Sequence, residues 1–380
     1  MTVGHAVMAA EADGDVLRLR FVDGCCLELL ALMLRENSPD PETTHPLSGE
    51  RRISLSQLAD NLTIERATSP DGLAVDVRFS DGLETTYSSA WLHGLAVAGA
   101  DCIEIPAETW DAKGPIERFE WSAVAASLHA ERALLRAVAS RGVALLSGTP
   151  LDESFVERFA GRIGPLRESN FGRVFDVCVE ATPISNAYST EALAPHTDLS
   201  TREYQPGLQH LHCLENEAQG GDSFVVDGRT LCRRLREVDE KAWHLLTSRP
   251  VPFANRSASC DYRWSAPLIG LDAHGELDTL RFTMWLRAPM AGAIDGVREA
   301  YRALRRITAL AESEALQVRF RLQPGDLLIL DNRRVLHGRT AFDGSGRRWL
   351  RGCYGEREDV WSRLRMIERV LAPSTNGAPG

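Results

Sequence analysis

The chain has 380 residues, 44% hydrophobic and 25% charged, with a formal net charge of -10. That is enough polypeptide for one large domain and a smaller one, and the negative balance argues against nucleic acid as the main partner, because no overall basic field meets the phosphates. Residues 1–15 lack the basic and apolar blocks of a secretory leader, no run approaches 18 apolar residues, and the eight Cys are scattered with only Cys25-Cys26 adjacent. These features predict a cytoplasmic protein with free thiols and neither a signal peptide nor a membrane span.

The first hundred residues read as a small β-rich unit. Val16–Phe21 alternates and turns at Asp23-Gly24 into an apolar run ending at Leu34, and Leu73–Phe79 alternates before a turn at Asp81-Gly82. Between them lies a Pro-, Ser- and Thr-rich loop from Asn37 to Gly49, and residues 100–114 read as a linker. Helical spacing then covers Trp121 to Arg141, with Gly142 placed to stop it. Val143–Leu146 reads as a buried strand, and Asp152 opens a helix through Ile163. Leu208–Leu214 and Ser223–Val226 are short apolar strands, followed by helices over Thr230–Thr247 and Gly296–Glu312. Val318–Leu322 turns at Gln323–Asp326 into Leu327–Leu330, Val360–Val370 is an amphipathic helix, and 373–380 reads as a disordered tail. Short strands with helical insertions and no Gly-rich phosphate loop predict an α+β, mainly β chain built on a double-sheet barrel or jelly roll rather than a doubly wound sheet.

Two segments far apart carry the chemistry: His196-Thr197-Asp198 and His337. Residues i and i+2 of an extended segment point to the same side, so His-x-Asp can deliver two metal ligands from one short stretch. Two imidazoles and one carboxylate bind one face of a non-haem Fe(II) and leave the remaining positions open. A tripeptide of this kind is common by chance. The signal comes from its context, with Asn186-Ala187-Tyr188 before it, Gln205-Pro206-Gly207 after it, and Arg348 beyond His337.

On these residues the chain resembles the γ-butyrobetaine hydroxylase and trimethyllysine dioxygenase family, within the taurine-dioxygenase-like Fe(II)/2-oxoglutarate oxygenases. The matching stretches are 186–198, 205–214, 220–228, 324–332, 336–339 and 348–354, together with 32–52 and 87–92 near the N-terminus. The resemblance implies a double-stranded β-helix core with helical insertions over 115–372, preceded by a small domain over 1–105. It implies that His196, Asp198 and His337 hold Fe(II), and that Arg348 pairs with the distal carboxylate of 2-oxoglutarate, which a planar guanidinium can hold bidentately. Related halogenases carry a small residue in place of the aspartate, so Asp198 favours hydroxylation. The implied reaction consumes O2 and 2-oxoglutarate, releases succinate and CO2, and hydroxylates an unactivated C–H bond. A homodimer is also implied.

For the substrate, the resemblance implies an aromatic cage around a trimethylammonium group, since ring faces attract cations by roughly 0.5–2 kcal/mol per good contact. Tyr188 and Tyr354 match cage positions, and Phe171 and Phe175 stand where the family carries Tyr and Trp. Asn186 matches a contact to the substrate carboxylate. The paired Asn of the family is replaced by Phe282–Trp285, and nearby Arg287 is offered as a further anion partner. The family's structural zinc loop is also changed: Ser38, Asp40 and Thr43 stand at the Cys positions and Leu83 near the His, so no structural zinc is expected. The leading expectation is thus a hydroxylase of a small zwitterionic, quaternary-ammonium substrate. The alternatives are a taurine-dioxygenase-like oxygenase acting on an amino acid or other metabolite, and a non-catalytic jelly-roll binding protein.

Overall fold

The computed structural model describes residues 5–98, 105–179, 186–257 and 260–371, and it divides into two compact units, Met1–Glu104 and Ile105–Gly380. The expected tail over 373–380 lies outside the described residues. Among the described residues, no helix is long and apolar enough to cross a membrane.

The first unit is built from two antiparallel meanders. One comprises Val7–Asp13, Val16–Phe21 and Cys26–Leu30; the other comprises Ile64–Thr68, Ala74–Phe79 and Glu84–Ser88. The period of two explains their packing: Leu17, Leu19 and Phe21 on one strand, and Val75, Val77 and Phe79 on another, all point into a shared core. The hairpin turns place Gly24 and Gly82 at φ 89° and 91°, a left-handed geometry that glycine adopts without steric penalty. The strand Val7–Asp13 escapes the sequence pattern because only Val7 along it is buried. In the following loop the oxygens of Ser38, Asp40 and Thr43 bond to protein groups. Thr43 donates to Asp40 through its hydroxyl and its backbone N–H, Arg35 donates to Thr43 Oγ1 at 2.7 Å, and Ser38 Oγ to Thr85 Oγ1 at 3.1 Å.

The second unit carries two larger sheets. The six-stranded sheet runs in the order Arg118–Glu120, Val143–Ser147, Leu327–Asp331, Leu208–Asn216, Arg348–Gly355, Val174–Val177, antiparallel except for its first pair. The four-stranded antiparallel sheet runs Leu193–His196, Val335–Arg339, Ser223–Asp227, Val318–Phe320. Leu211, Leu328 and Leu350 from the first sheet share one apolar cluster with Val225, Val318 and Val335 from the second. The strands Leu208–Asn216, Leu327–Asp331 and Ser223–Asp227 also contact helices and are buried on both faces, which is why they read as continuous apolar runs instead of alternating ones.

Several expected elements differ in detail. The helix over Trp121–Arg141 is two helices, Trp121–Ala126 and Leu128–Arg141, because Ser127 is extended between them. The helix over Thr230–Thr247 is also two, Gly228–Val238 and Glu240–Ser248, the second capped by the Asp239 carboxylate accepting from Ala242 N. Asp152 does not open its helix; it caps a turn, and the helix starts at Phe155. Residues 105–114 are not a free linker. Trp110 is buried in the sheet core of the second unit and donates its indole N–H to Arg141 O at 2.8 Å. The hairpin Pro250–Arg256 with Asp261–Pro267 was not expected from the sequence, and it packs against the helices Gly228–Val238, Glu240–Ser248 and Ile294–Ala311.

Candidate active site

His196 and His337 are direct cross-strand partners at the edge of the four-stranded sheet. Side chains directly opposite on one face of an antiparallel pair are close neighbours, and here the imidazole centroids lie 4.1 Å apart. Asp198 follows in the turn after the strand. One ligand atom from each of His196, Asp198 and His337 lies within 4.8 Å of the others. Asp198 Oδ1 is 3.3 Å from His196 Nε2 and 3.8 Å from His337 Nε2.

The turn is held from several sides. Asn332, fully buried, accepts from Asp198 N at 2.7 Å and donates to the carbonyls of Asp198 and Pro206. Gln205 Nε2 donates to Asp198 O and Thr197 Oγ1, both at 3.1 Å, and Thr197 exchanges backbone and hydroxyl bonds with Phe282 and Leu280. These restraints keep the next residue, Leu199, at φ 55°, the one non-glycine at positive φ among the described residues. Gly338, beside His337, has no room for a side chain. A Cβ there would stand 2.4 Å from the Phe224 ring and 2.5 Å from Leu193 O.

The electrostatics suit metal ligation. His196 Nδ1 lies 2.9 Å from Ala194 O, a contact that orients the ring with Nε2 toward Asp198. Burial first, and then the charge of His196, push His337 down to about 3, which keeps it neutral as a ligand must be. Burial pushes the Asp198 carboxyl up, but the His196 hydrogen bond, the charges of both imidazoles and the Tyr354 hydroxyl outweigh it and bring it down to about 2.

The triad opens into a cavity lined by Phe171, Phe175, Tyr188, Tyr354, Ser223 and Arg348. Arg348 is buried, and its Nε meets no acceptor among the described residues. Burial pulls its guanidinium below the ordinary arginine value. Arg339 lines the same cavity but is already bonded to the carbonyls of Glu191 and Ser189 at 2.9 and 2.6 Å. Arg348 is therefore the guanidinium with capacity left for an incoming carboxylate. A two-nitrogen, one-carboxylate set and an unsatisfied buried Arg in one cavity fit Fe(II) and a keto acid.

Arg287 is placed elsewhere: it lines a separate groove with Met284, Arg302 and Arg305, its guanidinium 5.0 Å from the Tyr301 ring. Asn186 begins the short 3-10 turn ending at Tyr188, and its side chain lies outside the described residues. The structure also brings in residues not singled out from the sequence. Gln209 and Ser223 line the cavity, Asn332 braces Asp198, and the Trp285 ring packs edge-on at 4.9 Å from His196.

Comparison with known proteins supplies the class. Residues 106–354 match the taurine catabolism dioxygenase TauD, TfdA family, and residues 8–93 match the gamma-butyrobetaine hydroxylase-like N-terminal domain. A gamma-butyrobetaine dioxygenase of Pseudomonas sp. (strain AK-1) is 35% identical over 355 residues, 92% of this chain and 93% of that protein. Dioxygenase str8 of Strobilurus tenacellus is 27% identical, covering 88% of this chain and 84% of its own length. A trimethyllysine dioxygenase of Meyerozyma guilliermondii is 24% identical, covering 96% of each chain. The molecule is a 2-oxoglutarate-dependent non-haem iron dioxygenase with Fe(II) as its metal. It belongs to the TauD, TfdA family and carries the N-terminal domain of the gamma-butyrobetaine hydroxylase-like branch.

Proposed function

We propose that this dioxygenase hydroxylates an unactivated C–H bond of a small zwitterionic, quaternary-ammonium compound related to γ-butyrobetaine. The observation that carries the reading is the set of four aromatic rings in the cavity of the His196–Asp198–His337 triad. Phe175 and Tyr354 stand 4.9 Å apart, Phe171 lies 6.3 Å from Phe175, and Tyr188 lines the same space. Rings at this spacing offer faces to a cation that makes no hydrogen bonds. The 35% identical relative is named for the same substrate class. Two sheets sharing one core, with the triad at the edge of one of them, also suit a double-stranded β-helix.

In this reading His196, Asp198 and His337 ligate iron and Arg348 holds the distal carboxylate of 2-oxoglutarate, with the Ser223 hydroxyl on the same wall. Bound Fe(II) and 2-oxoglutarate supply the oxidising chemistry: one oxygen atom of O2 enters the substrate C–H bond and the other enters succinate as CO2 leaves. The chain's own work is positional. The triad fixes the metal, Arg348 sets the angle of the keto acid, the rings hold the ammonium end, and the apolar wall of Leu193, Leu211 and Leu350 excludes water. Asn186 and Arg287 are kept as candidate partners of the substrate carboxylate, although Arg287 would have to reach from its own groove.

A second reading, an amino acid or another metabolite carrying a polar N–H or O–H, draws on Gln209. Its buried Oε1 meets no donor among the described residues, and a quaternary ammonium has none to give. Succinate release measured with a panel of betaines, amino acids and aminophosphonates separates the two. Turnover with betaines alone supports the first reading, and turnover with amino acids alone overturns it. A cytoplasmic homodimer completes the proposal and is checked by light scattering and cell fractionation.

A further inference from the structure

The outer oxygen of Asp198 is occupied by the protein itself. Oδ1 faces the two imidazoles, whereas Oδ2 accepts from the Tyr354 hydroxyl at 2.8 Å and from the Gln209 side-chain amide. Gln209 and Tyr354 are register partners on neighbouring strands of the six-stranded sheet, so their side chains emerge together on the cavity side. Asp198 follows a strand of the other sheet. One pair of residues on one sheet therefore grips a carboxylate carried by the other, and all three are buried or half-buried.

We propose that Gln209 and Tyr354 are positioning residues that hold Asp198 as a one-oxygen ligand, with Oδ1 given to the metal and Oδ2 withheld. A free carboxylate can rotate and chelate through both oxygens, which would take one of the positions needed for the keto acid or O2. Two charge-assisted donors on Oδ2 oppose that rotation, because chelation would have to break both bonds. Tyr354 then serves two purposes. Its hydroxyl is committed to the metal ligand, so only its ring is presented to the substrate, and the edge of the aromatic wall is fixed to the iron site. This rests on the iron site described above and not on the identity of the substrate.

Anaerobic titration with Fe(II), without substrate, tests the proposal on the full-length protein. Tyr354→Phe keeps the ring and removes the hydroxyl; Gln209→Met keeps the volume and removes the amide. Each is expected to weaken Fe(II) binding by about 10–100-fold, the range for residues that orient metal ligands. Each should also shift the visible band formed when 2-oxoglutarate chelates the bound iron, while the metal-free melting temperature stays close to that of the parent. Iron affinity within twofold of the parent and an unmoved band in Tyr354→Phe overturn the proposal, even if Gln209→Met fails to fold. A parent protein that takes up no Fe(II) overturns the site itself and the proposal with it.

Discussion

Arg348 is the residue proposed to hold the co-substrate. Its guanidinium is buried in the cavity with no acceptor for Nε among the described residues, and the Phe342 ring, 5.7 Å from it, supplies only a diffuse electrostatic partner. Arg348→Lys keeps the charge but loses the planar fork, so KM for 2-oxoglutarate should rise by about tenfold or more, measured as succinate formed against keto-acid concentration at saturating iron. His337→Ala should abolish Fe(II) uptake in the same titration, since two ligands remain on one short segment. Residue by residue, the meeting of His196, Asp198 and His337 beside Arg348 in one cavity was legible because each sits in a distinctive local pattern. Asn332 and Gln209 were not, because their roles depend on which strands become neighbours. Nothing in the linear order says that Asn332 meets the backbone of Asp198 or that Gln209 stands opposite Tyr354.

At the scale of elements, a buried ion cluster ties three helices together. Glu131 on Leu128–Arg141 accepts from Arg162 on Phe155–Ile163 at 2.6 Å and from Arg363 on Arg357–Leu371 at 2.8 Å. Burial raises the Glu131 carboxyl, but the bonds and charges of Arg363 and Arg162 prevail and bring it below its ordinary value of 4.5. A carboxylate lowered in the folded state stabilises it fully above that ordinary value and loses the contribution as pH falls through the lower one. Glu131→Gln removes the charge from the hydrogen bonds to Arg162 and Arg363 and should cost about 2 kcal/mol at neutral pH, and the gap to the parent should close in melts run at progressively more acidic pH. Gly338→Ala is a second element-scale test. Its Cβ would collide with Phe224 and with the carbonyl of Leu193, so the strand must shift and both stability and iron affinity should fall. The helix breaks at Ser127 and Asp239 were hidden from periodicity, because the apolar spacing continues across both while the backbone does not.

For the molecule as a whole, each of the two units has its own core. In the first unit, where the family's zinc loop was expected to have lost its ligands, Ser38, Asp40 and Thr43 make hydrogen bonds to Arg35, to Thr85 and among themselves. Elemental analysis of protein expressed in zinc-supplemented medium is expected to find less than one zinc per chain, and chelator should leave the melting of this unit unchanged. The β-rich character of this unit was legible from its alternating strands and Asp-Gly turns. The order of the two larger sheets was not, since hydrophobicity marks a strand as buried without naming its neighbour.

The strand that ends at His196 lies on the outer margin of its sheet, joined to Val335–Arg339 through only two matched positions, one of which is the histidine pair itself. A metal bridging those imidazoles would act as a clasp on a loosely stitched hem. Loading the enzyme with Fe(II), or with a redox-inert substitute, should slow amide exchange over residues 193–196 far more than in the interior strand 208–216. Metal capture and completion of the sheet would then be one event, with stability rising as the logarithm of free metal concentration.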